Sequence, residues 1–435
     1  MDKVLIITYY WPPSGGAGVQ RWVKLSKYLL ETGIKPYILT VDEQYASYMQ
    51  TDKSLEDDIP SGINVYKTRS FEPIRMYEKL VGKKNVPTAG FSNVDNNSIG
   101  QKLINAIRSN LFIPDPRKGW IKYAYKKAVE IIKEEQIDHV ITSSPPHSSQ
   151  LIGLKLKNKL GIKWVADLRD PWTDIYYYKI LGHSFISRYI DQQYEKKVLI
   201  NADRLIVVSE HIKDLFVKKD PLIDPGKCHI VPNGFDPADF ESLEKTKNDI
   251  FTICYTGTMA DTYEPDIFIN SLAKLKEAKP ESKVKLQIVG FISDNIKALL
   301  NDKIPDIELI PTVPHSEIVK YQKNADLLLL VIPDIKHAEG ILTGKIFEYI
   351  ATGNPVLGIG PENGDAAKII DQCGAGKFFD RTKQKEITNY LENCMNDFYT
   401  KKPFESNRTE INKFSRKEQS QQIKLLLDKL NKIAL

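Results

Sequence analysis

Short runs of β-branched and large apolar residues alternate along this chain with longer stretches whose apolar positions recur every three to four residues. Runs at 3–8, 37–40, 64–67, 139–142, 163–166, 204–208 and 229–231 predict strands, and the stretches 19–32, 120–135, 148–160, 184–200 and 210–218 predict helices between them. The strand runs are apolar on both faces, which is the pattern of a parallel sheet covered by helices. Strand and helix in steady alternation imply a doubly wound α/β fold.

The alternation pauses at "VPNGFDPADFES", residues 231–242, whose Pro, Gly, Asn and Asp content predicts a linker. A second series then begins. Its strands are expected at 251–256, 285–289, 307–309, 325–331, 355–358 and 376–378, and its helices at 265–277, 316–323, 344–351 and 384–395. One long helix is expected over 405–433. Residues 71–97 carry weak periodicity and predict an irregular insertion. The chain therefore divides into a Rossmann-like domain at 1–235, a second at 236–413 and a terminal helix at 414–435, an organisation that suits 435 residues better than a single core does.

Composition narrows the picture little. Hydrophobic residues at 42% and charged residues at 27% are ordinary for a globular protein. Four cysteines at 228, 254, 373 and 394, with no C-x-x-C pair, argue against a zinc site or a disulfide framework and fit a reducing compartment. The run at 4–7 is too short for the core of a signal peptide, and no apolar run approaches membrane-spanning length, so a cytoplasmic or peripheral protein is expected. The net charge of +5 is concentrated at 101–133, where eight basic residues face Asp115 and Glu130. Trp120, Tyr123 and Tyr125 are interleaved there. Such a helix can lie on an anionic membrane, or its aromatics can turn inward beneath a solvated face. No nucleic-acid-binding module accompanies these charges, so nucleic acid is not an expected partner.

In doubly wound folds ligands bind at the carboxyl ends of the strands, so the loops there are the places for chemistry. After the first strand come Gly15 and Gly16, ahead of a helix; they suit a tight turn or a close approach to an anion. Arg21 lies one turn further on, facing either a cleft or solvent. His147 follows two prolines at a helix start, where it can orient a hydroxyl, move a proton, or simply begin the helix. Asp167, Arg169 and Asp170 crowd the next strand end, either as a functional cluster or as an ion pair shaping the loop. In the second half Gly257, Thr258 and Gly290 end strands. The stretch "EGILTGKIFEY" then leads into an apolar helix. It is a near miss to a P-loop: Gly340 and Gly344 are one residue too close, and Ile346 stands where Ser or Thr would hold Mg²⁺. A P-loop NTPase is thereby excluded. Thr343 is expected to cap the helix and leave the N–H groups of 344–346 for an anion, with Lys345 and Glu348 on one face beside it.

"PPSGGAGVQRWVKLSKYL", "SSPPHSSQLIGLKLKNKLGIKWVADLRDPW", "IVPNGFD" and "GILTGKIFEYIATGNPVLGIG", taken in order, resemble the GT-B-fold retaining glycosyltransferases of family 4. The resemblance covers roughly residues 3–414. It implies two Rossmann-like domains facing a cleft, a terminal helix crossing back to the first, and transfer of a sugar from a nucleotide-diphosphate donor without an essential metal. Glu348 would be the second glutamate of the family's E-x7-E motif and hold the donor ribose. The backbone of Gly340, Ile341, Leu342, Thr343 and Gly344 would face the diphosphate or the sugar. Gly15 and Gly16 would close over the diphosphate, with Gly257, Thr258 and Gly290 near the donor. Arg169 falls where many relatives carry an acceptor-side histidine, with Asp170 and His147 nearby.

Two departures stand out. The first motif glutamate would be at 340, where this chain has Gly340, and Glu339 lies one residue early. The Arg and Lys expected after the first strand of the second domain are missing from "GTMADTYEPD", which leaves Lys345 to balance the diphosphate. The expected activity is hexosyl transfer to a glycan or lipid-linked acceptor in polysaccharide or glycoconjugate biosynthesis, with no cofactor and no metal. The alternatives are a nucleotide-sugar epimerase of the same fold and a non-catalytic binder of sugar nucleotides.

Overall fold

The computed structural model describes residues 1–48, 50–72, 110–179, 181–241, 243–304 and 306–432. The chain forms two compact units, Met1–Pro232 with Gln419–Leu435, and Asn233–Glu418. These boundaries fall at 232 and 418 rather than at the expected 235 and 413.

The first unit holds a seven-stranded sheet. Its strands are β1 (Asp2–Ile7), β2 (Ile34–Val41), β3 (Asn64–Thr68), β4 (His139–Ser144), β5 (Lys163–Leu168), β6 (Arg204–Val207) and β7 (Cys228–Ile230). Their order is β3-β2-β1-β4-β5-β6-β7, and every pairing is parallel. Successive side chains of a strand point to opposite faces. Leu5 and Ile7 therefore join one apolar cluster, and Val4 and Ile6 the other. A strand buried on both faces cannot alternate with polar residues, which is why the strand runs are continuously apolar.

The second unit repeats the plan with six strands: β8 (Phe251–Thr256), β9 (Val284–Val289), β10 (Ile307–Ile310), β11 (Leu327–Val331), β12 (Val356–Ile359) and β13 (Gly376–Phe379). All pairings are again parallel, in the order β10-β9-β8-β11-β12-β13. In β11, Leu327, Leu329 and Val331 face one cluster while Leu328 and Leu330 face the other.

Three expectations change. The helices Asp294–Lys303 and Asp365–Gln372 are additional, at ten and eight residues too short to stand out by periodicity. The single terminal helix is two, Arg408–Asn412 and Arg416–Lys432. Between them Phe414 and Arg416 bond the backbone of Phe235, and Phe235 is buried. From Asn233 onward the expected linker at 231–242 is therefore tied into the second unit, and it carries a short helix, Ala238–Glu241. The last helix buries Ile423, Leu426, Leu427 and Leu430 against Val4 and Ile6 of the first unit, a stripe at helical spacing. The insertion expected at 71–97 lies outside the described residues except for 71 and 72.

Candidate functional site

In each sheet the strand order reverses direction beside one strand pair, β1 and β4 in the first unit, β8 and β11 in the second. Open α/β sheets take their ligands outside the carboxyl ends at that switch point.

In the second unit, β8 ends at Thr256 and the chain turns through Gly257, whose φ of +101° is left-handed. Gly290, at the end of β9, stands against it: a Cβ there would lie 2.4 Å from the Gly257 carbonyl oxygen. No side chain fits at 290, so the two strand ends approach as bare backbone. A Cβ on Gly257 would lie 3.4 Å from Lys345 Nζ. The Lys345 ammonium thus rests against this glycine floor. It donates to Tyr255 Oη at 2.7 Å, lies 4.1 Å from the Tyr255 ring centroid, and lies 5.8 Å from that of Tyr263. Burial pushes it down to about 7, against the pull of the Glu348 carboxylate. A cation within hydrogen-bond reach of a neutral phenol, at the start of a helix, is one that an entering anion would charge and hold.

Glu348 does not pair with Lys345. Its Oε1 lies 3.1 Å from His315 Nε2 and its Oε2 accepts from Gln322 Nε2 at 2.7 Å. Burial pushes this carboxyl up, but the His315 and Gln322 bonds and Lys345 outweigh it and hold the group below its usual range. Glu348 is therefore an ionised acceptor, oriented on both oxygens and still partly open to solvent.

The loop between β11 and the helix Gly344–Thr352 differs from expectation. Thr343 takes the N-cap position with extended backbone, but its side chain caps nothing, and its buried Oγ1 has no partner. The Ile346 N–H, expected to be free, turns back to the Thr343 carbonyl at 3.3 Å. Glu339 is exposed on a short 3₁₀ turn, Ala338–Gly340, while Gly340 and Leu342 are buried and Ile341 is half-buried. Asn233 Nδ2 reaches the Leu342 carbonyl at 3.4 Å.

In the first unit the expected cluster separates into two roles. Arg21 and Asp167 are fully buried and pair at 3.0 Å. Asp167 also accepts from Trp22 Nε1 and Ser143 Oγ, and Arg21 donates to the carbonyls of Val231 and Pro232. These two residues tie the helix Ala17–Glu31 to the sheet; Arg21 faces neither cleft nor solvent. Arg169 instead donates to the Ser144 and Pro145 carbonyls. Its guanidinium lies so close to Gly18 that a Cβ there would be 2.3 Å from Nη1. Gly16, at φ +103°, is the N-cap of that helix, which has no side-chain cap and no acidic residue in its first turn. A guanidinium against an uncapped helix start is an electropositive corner. Burial pushes the Asp170 carboxyl up, and Arg169 offsets this in part.

His147 begins the helix Ser148–Leu160 and stacks on Trp172 at 4.4 Å between centroids. Burial and Arg169 push its imidazole down to about 3. It is neutral at ordinary pH, which suits orienting a hydroxyl better than holding a proton. Its buried Nδ1 has no partner.

The structure thus joins Gly257, Gly290, Lys345 and Glu348 at one end of the second sheet, and Gly16, Arg169, Asp170 and His147 at the strand ends of the first. Thr258 adds its carbonyl, which accepts from Tyr255 Oη at 2.6 Å. Gly15 donates to the Gln50 carbonyl at 3.1 Å, as a turn residue would. Tyr255, His315 and Gln322 were not singled out from the sequence. His315 had a signal, since it opens a helix just after a strand; Tyr255 and Gln322 resemble ordinary core positions.

Two all-parallel doubly wound sheets, each with charged side chains at its switch point, fit the GT-B class of fold. Comparison agrees. Residues 88–239 match the family model described as Glycosyltransferase Family 4. The D-inositol 3-phosphate glycosyltransferase of Paenarthrobacter aurescens strain TC1 is 22% identical over 221 residues, 48% of this chain and 52% of the relative. The chain thus matches about half the length of that relative. Anabaena HepE, solved with UDP-glucose, superposes with a TM-score of 0.61 at 13% identity, over 98% of this chain and 99% of that one. A mutant of S. aureus TarM, solved with fondaparinux, α-GlcNAc-glycerol and UDP, gives 0.59 at 12% identity, over 98% of this chain and 99% of that one. Residues 88–239 thus carry the likeness to Glycosyltransferase Family 4, and the chain as a whole has the GT-B fold.

Proposed function

We propose that this chain is a hexosyltransferase that moves a sugar from a nucleoside-diphosphate donor to a hydroxyl of a glycan or lipid-linked acceptor, with retention and without a metal, in glycoconjugate or polysaccharide synthesis. The observation that carries the proposal is the pairing of roles on one helix: a Lys345 ammonium at its start and, three residues on, a Glu348 carboxylate oriented by His315 and Gln322. The first suits a diphosphate, the second a ribose diol. The family match names glycosyl transfer, so an epimerase is not favoured.

In the proposed step the bond from the sugar C1 to the donor phosphate oxygen breaks, and C1 bonds to the acceptor oxygen on the same face. The acceptor proton passes to the departing phosphate. Negative charge grows on the diphosphate, where Lys345 and the helix start stabilise it. Glu339 is a candidate contact to the sugar, and Gly340 to Gly344 line the approach. Arg169, Asp170 and His147 are acceptor-side candidates, with His147 acting as a neutral hydrogen-bonding group. The proposal places the enzyme in the cytoplasm, at the membrane face; among the described residues no helix is long and apolar enough to cross a bilayer.

The test is calorimetric titration of the full chain and of Lys345→Ala and Glu348→Ala with UDP, GDP and ADP, followed by product analysis with the matching nucleotide-sugar. Loss of diphosphate binding in both variants and an α-product from an α-donor are expected. Unchanged binding in both variants sinks the site assignment, and an inverted product sinks retention.

A further inference from the structure

The helix Phe185–Asn201 is built inside out over its first turns. Its inward positions are polar. Ser187 Oγ donates to Asn110 Oδ1 at 2.6 Å, Asp191 accepts from Trp172 Nε1 at 3.0 Å and Tyr178 Oη at 2.8 Å, and Glu195 accepts from Thr173 Oγ1 and Lys219 Nζ. All three are buried. Its outward positions are apolar: Phe185 is 83% exposed, Ile186 69%, Tyr189 55%, and Ile190 joins them. Positions i, i+1, i+4 and i+5 share one helical face. A surface helix of a globular protein has the opposite arrangement, with its apolar stripe on the core.

The surroundings extend the patch and give it a sign. Asn110 bonds the Ser184 N–H at the helix start, which brings in the neighbouring Leu111, 62% exposed. Lys118 donates to the Leu111 carbonyl and lies 5.4 Å from the Phe112 ring centroid. Arg188 is exposed on the helix itself and Lys179 six residues before it, and Lys118 and Lys122 are exposed shortly after Leu111 and Phe112. Residues 176–190 contain no acidic side chain. Within 110–122 there is Asp115, and its oxygens are occupied by Ser148 and the Arg117 N–H. By contrast, the basic stretch at 110–133 turns its aromatics largely inward: Trp120 is buried and Tyr125 packs on the core, while Tyr123 stays exposed. Residues 101–109 of that stretch lie outside the described residues.

We propose that the exposed apolar face of Phe185, Ile186, Tyr189 and Ile190, rimmed by Lys118, Lys179 and Arg188, docks the first unit onto an anionic lipid bilayer. Large apolar side chains enter the acyl boundary while basic side chains lie among the headgroups. Charge complementarity decides the occupant. A second copy of the chain would set like charges against one another, whereas an anionic surface matches them. The inference deepens the membrane-face placement proposed above and is independent of the reaction, so failure to float leaves the donor-site assignment untouched.

The test is flotation of the full chain with vesicles of phosphatidylcholine containing phosphatidylglycerol, against phosphatidylcholine alone, with light scattering in parallel. The wild type is expected to float with the anionic vesicles and not with the neutral ones, and to be monomeric. Ile186→Ser with Tyr189→Ser should reduce vesicle partitioning by about tenfold or more. Because both positions face solvent, its melting temperature should not change. Tyr189→Trp should show a blue-shifted emission when anionic vesicles are added. Failure of the wild type to float, or equal flotation of the double variant, overturns the proposal. So does a wild-type dimer that the double variant converts to monomer, since the face would then belong to a second copy.

Discussion

Lys345 Nζ and Tyr255 Oη are 2.7 Å apart, and the same ammonium lies over the face of the same ring. Among the described residues the ionisable groups against it are Tyr255 and Tyr263, neutral phenols held above their usual range by burial, and Glu348, which is turned to His315 and Gln322. Burial pushes Lys345 down to about 7. A diphosphate beside it favours the charged form, so binding takes up a proton above pH 7. The sign follows: affinity for an intact nucleotide-sugar, whose esterified diphosphate does not titrate in this range, is constant below pH 7. It weakens by up to about tenfold per pH unit above it. Calorimetry in buffers of different ionisation enthalpy should show proton uptake at pH 8. Lys345→Arg, always charged, should abolish the uptake. Equal affinity at pH 6 and pH 9 in the wild type contradicts this account.

Tyr255→Phe removes the acceptor of that bond and keeps the ring. The ammonium then loses a partner of its charged form, so its titration moves further down and the weakening of donor binding begins at lower pH. The hydroxyl also donates to the Thr258 carbonyl, so the fold should lose about 2 kcal/mol, the size of two hydrogen bonds. A pH profile of donor binding checks the direction. A shift to higher pH would mean that the phenol does not stabilise the charged lysine.

Much of this arrangement was legible in the sequence. The parallel sheets were, because burying β1 and β11 on both faces forces continuous apolar runs such as "LLLLV". Lys345 and Glu348 were visible as charges three apart on an otherwise apolar helix. Their partners were not, because Tyr255 sits inside a strand and Gln322 on a helix, at spacings where a polar group and a core residue look alike. Asp167 and Arg169 were two residues apart and read as one cluster. They separated because neighbouring-but-one positions at a strand end need not share surroundings: Asp167 turns into the core toward Arg21, and Arg169 lies on Gly18. The expected cap at Thr343 failed because a favoured N-cap residue supplies the hydroxyl without fixing its rotamer.

Glu348 is oriented before any ligand arrives, and its removal takes away both its ribose contact and its pull on the Lys345 ammonium, so the ribose contribution is read from the difference between two donors. Glu348→Gln should weaken donor binding by about tenfold to a hundredfold, the range for a hydrogen bond to a charged group. A donor built on 2′,3′-dideoxyribose should bind the wild type as weakly as the variant, and the variant should not discriminate between the two donors. If the variant loses equal affinity for both donors, the carboxylate does not touch the ribose. Competition titration with the paired nucleotides measures both.

The first unit allows a cleaner separation of scaffold from site. Arg21→Ala leaves the Asp167 carboxylate buried with Trp22 and Ser143 but without its counter-charge, and breaking such a pair costs roughly 3–5 kcal/mol. A marked fall in denaturant midpoint is expected. Arg169→Ala removes a half-buried guanidinium bonded to two carbonyls, and should lower the midpoint little while reducing turnover. Gly18→Ala reaches the same group from the other side, because its methyl would sit 2.3 Å from Nη1 and the flexible guanidinium must move. Its turnover should fall with that of Arg169→Ala, while the helix gains from the better helix former at 18. Urea unfolding and sugar-transfer rates on the three variants decide the matter. If Arg169→Ala unfolds as readily as Arg21→Ala, or if Gly18→Ala keeps full turnover, Arg169 belongs to the scaffold and not to the site.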